Sequence, residues 1–101
     1  MKLLTQELRR KFPKLYANEG KEAYQVKIIA KFFDPCGSWT WYATEFDDKD
    51  LFYGFVRGFE NEHGYFSLSE LESVKGPLGL GIERDLYFGD HTLAEAIERQ
   101  L

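Results

Sequence analysis

Cys36 and His63 are the residues whose types best suit covalent chemistry. A cysteine becomes a nucleophile when an imidazole or a helix N-terminus lowers its pKa, and Asp34 or Asp85 stands available to orient that imidazole. Nothing in the spacing enforces this contact, and a cysteine inside Asp34-Pro35-Cys36-Gly37 reads more simply as a packed turn residue. A Cys/His enzyme is the weakest functional reading, and no catalytic residue is assigned. Carboxylate pairs for acid–base work exist, Glu45 with Asp47 and Glu83 with Asp85, but 17 acidic residues in 101 produce such pairs by chance. Cys36, His63 and His91 stand about 27 positions apart, too scattered for a metal motif. Gly76-Pro77-Leu78-Gly79-Leu80-Gly81 lacks the lysine and hydroxyl residue of a phosphate-binding loop. No cofactor and no metal are expected.

Binding chemistry is better represented. Of the 17 aromatic residues, 12 lie between Phe32 and Phe66, where only Lys49 and Arg57 are basic. Stacking of bases on aromatics calls for interleaved cations, so this stretch is a poor single-strand binder. Its neighbours are acidic instead. Asp34, Trp39, Asp47, Asp48, Asp50 and Tyr53 form the candidate binding set, an acidic and aromatic patch suited to a protein with a basic surface. Trp39 and Tyr53 are its expected anchors. Residues 1–33 carry eight basic and three acidic side chains, whereas residues 34–101 carry five and fourteen. That asymmetry has two readings. The basic segment folds back on the acidic remainder, or Arg9, Arg10, Lys11 and Lys14 form a surface that touches nucleic acid.

These residues need elements to hold them. Thr5 caps a helix that must stop near Lys11, because Pro13 disfavours a helical Phe12; Leu4, Leu8 and Phe12 make its apolar stripe. The period then changes to two. Gln25–Phe33 reads as a strand with Val26, Ile28, Ala30 and Phe32 on one face. Trp39–Phe46 reads as a second, with Trp39, Trp41, Ala43 and Glu45 on one face and Thr40, Tyr42, Thr44 and Phe46 on the other. Leu51–Phe59 is a third, its Gly54 and Gly58 marking a bulge, a bend or a close approach. A turn at Asn61–Gly64 leads into a short fourth strand at Tyr65-Phe66. Core positions are expected at Trp41, Phe46, Phe55 and Val56. Capping boxes at Ser67/Glu70 and Ser69/Glu72 start a short helix near 69–75, ended by Gly76-Pro77. Residues 82–88 read as a strand or an extended return. Thr92/Glu95 opens a terminal helix with Leu93, Ile97 and Leu101 stacked.

The class is therefore α+β: a three- to four-stranded antiparallel meander with an N-terminal helix, a short helix near 69–75 and a C-terminal helix, the helices covering one face of the sheet. One domain over 1–101 suits 101 residues, with no linker or repeat. A single cysteine excludes disulfides, no apolar run nears the ~20 residues of a membrane span, and the start turns polar too early for a signal peptide. A cytoplasmic protein of net charge −4 with no membrane role is expected.

Several blocks carry a resemblance. Met1-Lys2-Leu3-Leu4-Thr5, Lys31-Phe32-Phe33-Asp34-Pro35, Ser38-Trp39-Thr40-Trp41-Tyr42-Ala43-Thr44-Glu45-Phe46-Asp47, Gly64-Tyr65-Phe66-Ser67-Leu68-Ser69-Glu70-Leu71, and Gly76-Pro77-Leu78-Gly79-Leu80 with Ile82-Glu83-Arg84-Asp85 resemble the domain-of-unknown-function family numbered 2958, over nearly the whole chain. The family often has proline where this chain has Gly81, which touches local loop geometry alone. The resemblance implies a small protein of bacterial plasmids, conjugative elements and phages, with no catalytic residue or cofactor to carry over. It makes counter-defence an expectation, by binding a host nuclease, restriction or CRISPR effector. A nucleic-acid-associated accessory protein using the basic N-terminal segment is the alternative.

Overall fold

Alternating apolar and aromatic residues build one antiparallel sheet, and short capped helices close over both of its faces. The computed structural model describes residues 2–99 and 101. In chain order it contains α1 (Gln6–Lys11), β1 (Ala30–Phe33), β2 (Thr40–Phe46), β3 (Leu51–Arg57), β4 (Asn61–Ser67), α2 (Leu68–Ser73), β5 (Glu83–Arg84) and α3 (Leu93–Glu98). The sheet order is β4-β3-β2-β1-β5, antiparallel throughout. The meander expected from the sequence thus gains a fifth strand, formed when the extended return pairs Arg84 with Phe32 and Glu83 with Phe33.

Each α-helix starts where a local cap places it. The Thr5 hydroxyl accepts the Leu8 N–H, the Ser67 hydroxyl accepts the Glu70 N–H, and Thr92 with Glu95 forms a full capping box. The second box, Ser69 with Glu72, does not form. Ser69 lies inside α2 and donates its hydroxyl hydrogen to Asp50 at 2.7 Å.

Two cores flank the sheet. On one face, Ala30, Phe32, Ala43, Phe46 and Phe52 pack with Leu3 and Leu4 of the N-terminal segment, Leu71 of α2 and Ile82. On the other, Tyr42 and Phe55 pack with Val26, Ile28 and, from α3, Leu93 and Ala96. A sheet covered on one face only was expected. Both faces are covered because β2 and β3 carry apolar side chains on both, Ala43 and Phe52 on one and Tyr42 and Phe55 on the other, and two irregularities then redirect individual residues. In β2 the register shifts between Ala43 and Glu45, so Thr44 is bulged out. Phe46 therefore joins Ala43 and the half-buried Trp41, while Glu45 moves to the face of Tyr42. Strict alternation had put Glu45 with Trp41 and Phe46 with Tyr42. The segment leading into β1 also switches. Ile29 donates its N–H to the Ala43 carbonyl although Ala30 is the partner of Ala43, and Val26 and Ile28 enter the second core while Ala30 and Phe32 enter the first. Regular pairing thus begins at Ala30 and not at Gln25, which ends a 3-10 turn over Ala23–Gln25.

Gly54 lies opposite Ala43 beside the bulge, where an added Cβ would stand 1.9 Å from the Tyr42 carbonyl oxygen. Close approach of two backbones is what requires glycine there. The β3–β4 turn comes earlier than the polar run 61–64 implied. It occupies 58–60, leaves Phe59 95% exposed, and makes Asn61–Gly64 part of β4. Of the four expected core residues, Phe46 and Phe55 are buried and Trp41 and Val56 half-buried. In α3 the buried positions are Leu93 and Ala96, and Ile97 faces solvent.

Candidate functional site

The bulge at Thr44 delivers Glu45 to the second face, and the site grows from there. Glu45 pairs with Tyr53 across β2 and β3, and Tyr53 pairs with Tyr65 across β3 and β4. The three side chains form one row. Glu45 is only 4% exposed, so its carboxylate needs donors. They come from a segment 27 to 29 residues earlier: Oε1 accepts the Tyr16 N–H at 2.8 Å and Oε2 accepts the Asn18 N–H at 3.0 Å. Residues 14–21 form a strap of successive turns, with Ala17, Glu19 and Lys21 donating to Lys14, Tyr16 and Asn18. Phe46 ties the strap's start by donating to the Pro13 carbonyl at 3.0 Å. Tyr16 takes φ +71°, a left-handed conformation that strains a side-chain-bearing residue. The Glu45 carboxylate is what holds it.

Tyr16 then reaches toward the edge strand, where its side chain neighbours that of Tyr65 beside the cleft. Tyr53 and Tyr65 meet edge to face with ring centroids 4.9 Å apart. Between this row and the strap lies an open cleft of about 500 Å³, lined also by Val26, Leu93 and His63. Its titratable lining is Glu19, Lys21, Glu45, His63 and the three tyrosines. The adjacent Tyr16 phenol foremost, then loss of hydration, with smaller effects of Tyr53 and the Glu45 carboxylate, push the Tyr65 phenol up to about 12. The surroundings of that hydroxyl resist added negative charge.

The sequence-derived binding set is distributed otherwise. Tyr53 lines the cleft. Trp39 is half-buried, its ring against Gly58 and within 5.3 Å of Phe59 and 5.8 Å of Trp41. Asp34 accepts the Cys36 N–H in the β1–β2 turn. The 47–50 loop lies at the other end of β2, so the structure does not bring the two acidic segments together. Asp47 Oδ1 accepts the N–H groups of Lys49, Asp50 and Leu51, which hold its carboxyl below the ordinary range, Leu51 foremost. Asp50 binds the backbone N–H and hydroxyl of Ser69. Asp48 pairs with Arg9 at 2.9 Å.

The basic segment does fold back on acidic residues at Arg9–Asp48, Lys27–Asp90 and Lys31–Asp85. Arg10, Lys11 and Lys14 are exposed. Cys36 Sγ lies 3.6 Å from the Pro77 carbonyl oxygen, while His63, on β4, packs edge to face on Phe55. Among the described residues no three His, Cys, Asp or Glu side chains converge as metal ligands, and no helix is long and apolar enough to cross a membrane.

Sequence reading missed Tyr16, Glu45 and Tyr65 as a group. Tyr16 lies just before the polar stretch 17–23 and Glu45 is one of 17 acids, so no periodic signal connects them. A single local cue existed, a lone carboxylate inside the aromatic run Thr40–Phe46. No curated protein and no solved structure matches the chain. The family model for a protein of unknown function (DUF2958) matches residues 3–99, and the chain belongs to that family.

Proposed function

We propose that this protein acts by binding another macromolecule, a protein with a basic surface, through the second face of its sheet. The observation that carries the reading is the open cleft walled by Tyr16, Tyr53 and Tyr65 over Glu45. Tyrosines give large contact area at low rotamer cost and keep a polar tip for hydrogen bonding. The strained Tyr16 is 65% exposed and Tyr65 50% exposed, an arrangement that stability alone does not require. A host defence effector with a basic nucleic-acid groove is the partner class that the family setting favours.

The test compares capture of protein partners by the wild type and by the double variant Tyr53→Ala/Tyr65→Ala, both verified folded by circular dichroism. Capture of a partner should fall at least about tenfold in the double variant, a loss of roughly 1.4 kcal/mol. Arg10→Ala/Lys11→Ala/Lys14→Ala should leave it unchanged. The opposite result, capture insensitive to the tyrosines and abolished by the basic triple variant, refutes the reading in favour of a basic N-terminal surface.

A further inference from the structure

We propose that the cleft is a cation-recognising cage whose ligand is the alkylammonium head of a lysine side chain on the partner protein. This rests on the binding reading above and specifies its chemistry. Three phenol rings line one opening, and each ring face carries the negative end of an aromatic quadrupole, which attracts a cation placed within ~6 Å of its centre. Glu45 lies beneath in the same cross-strand row, its charge desolvated and undiminished by any cationic side chain, since its two oxygens accept only backbone N–H groups. Glu19 adds a second carboxylate on the strap side. Lys21, the cation among the lining residues, has its Nζ directed to Asn18 Oδ1 at 3.4 Å, and His63 is engaged with Phe55.

The geometry also separates ammonium from guanidinium. An arginine fork gains most from a carboxylate that offers both oxygens in one plane. Here Oε1 and Oε2 already hold Tyr16 and Asn18, so no bidentate acceptor is free. Rings meeting edge to face, as Tyr53 and Tyr65 do, also provide no parallel slot for a flat cation. A compact ammonium on an apolar stem needs neither. Its methylenes would lie along the Val26 and Leu93 side of the cleft.

The experiment titrates ¹³C-tyrosine-labelled protein with N-acetyl-lysine methylamide, the arginine and norleucine equivalents, and tetramethylammonium, following ring resonances of Tyr16, Tyr53 and Tyr65. The lysine probe should bind at least about threefold more tightly than the neutral norleucine probe and more tightly than the arginine probe. Tyr53→Leu should abolish that preference, whereas Tyr65→Phe, which keeps the ring, should retain it. Equal binding of lysine and norleucine overturns the proposal and leaves an apolar cleft. Tighter arginine binding overturns it in favour of guanidinium. A response to tetramethylammonium alone overturns the side-chain source in favour of a free quaternary ammonium ligand. If partner capture still depends on the tyrosines while lysine shows no preference, the cation chemistry fails and the binding reading survives. If capture is also indifferent to the tyrosines, both fail.

Discussion

Single carboxylates organise this molecule more than they decorate it. Asp47 lies in a run of acids that looks like a solvated loop, yet its Oδ1 gathers three consecutive backbone N–H groups at 2.8–2.9 Å. Asp47→Ala is expected to destabilise the fold by about 1–2 kcal/mol at pH 7, the range of a lost helix cap. The pH dependence follows from the lowered folded pKa. Stabilisation is complete above the unfolded value near ~4 and disappears as pH falls through the folded value, because protonation weakens the carboxyl as an acceptor. Urea titrations of wild type and variant should show the gap narrowing progressively as pH falls below about 4. A gap that stays constant over that range would assign the loss to packing. Glu45 works by the same logic over a longer distance, holding the strap that makes the cleft.

At the scale of elements, the β2 bulge decides which side chains are core and which are site. Gly54 is its steric partner, with an added methyl 1.9 Å from a backbone oxygen that cannot rotate away. Gly54→Ala should cost at least about 3 kcal/mol, measured by thermal or urea unfolding. Gly64 pairs with Gly54 across β3 and β4, but a Cβ there meets nothing within 4 Å. Gly64→Ala should change stability by less than about 0.5 kcal/mol. Equal effects would mean that the backbones of β2 and β3 are not held in the close register described. Helix starts were readable from sequence because capping joins residues three apart, as at Thr5, Ser67 and Thr92. The β2 bulge was marked only indirectly, by Gly54 on the neighbouring strand; its place in β2 was not legible, although one extra residue there inverts every later side chain.

For the whole molecule, α3 is secured from the middle of the sheet. The Arg57 guanidinium donates to the carbonyls of Ala96, Ile97 and Arg99, a cation at the negative end of the helix, and the Tyr42 hydroxyl donates to the Leu101 carbonyl at 2.7 Å. Burial away from water is the main reason that the Tyr42 phenol is pushed up. Arg57→Met should lower hydrogen-exchange protection of α3 amides by about tenfold while leaving β2 and β3 amides at wild-type values. Uniform loss across both regions would show that Arg57 supports the fold globally and not this one helix. Such loosening would also reach the cleft, because Leu93 of α3 lines it.

Taken alone, the sequence determined what is local: the caps, the stop at Pro13, the three antiparallel strands before residue 60, the α+β class and membership of its family. The structural features among these depend on contacts between residues a few positions apart or on alternation within one strand, and the family on blocks of residues spread along the chain. The tertiary structure alone decided what joins distant residues. Arg84 meets Phe32 to make a fifth strand, Tyr16 and Asn18 meet Glu45 to make the cleft, and two irregularities send neighbouring residues into opposite cores. The reason is energetic. A buried carboxylate such as Glu45 must find donors wherever the chain can supply them, and that search is settled by packing in three dimensions and not by spacing along the chain.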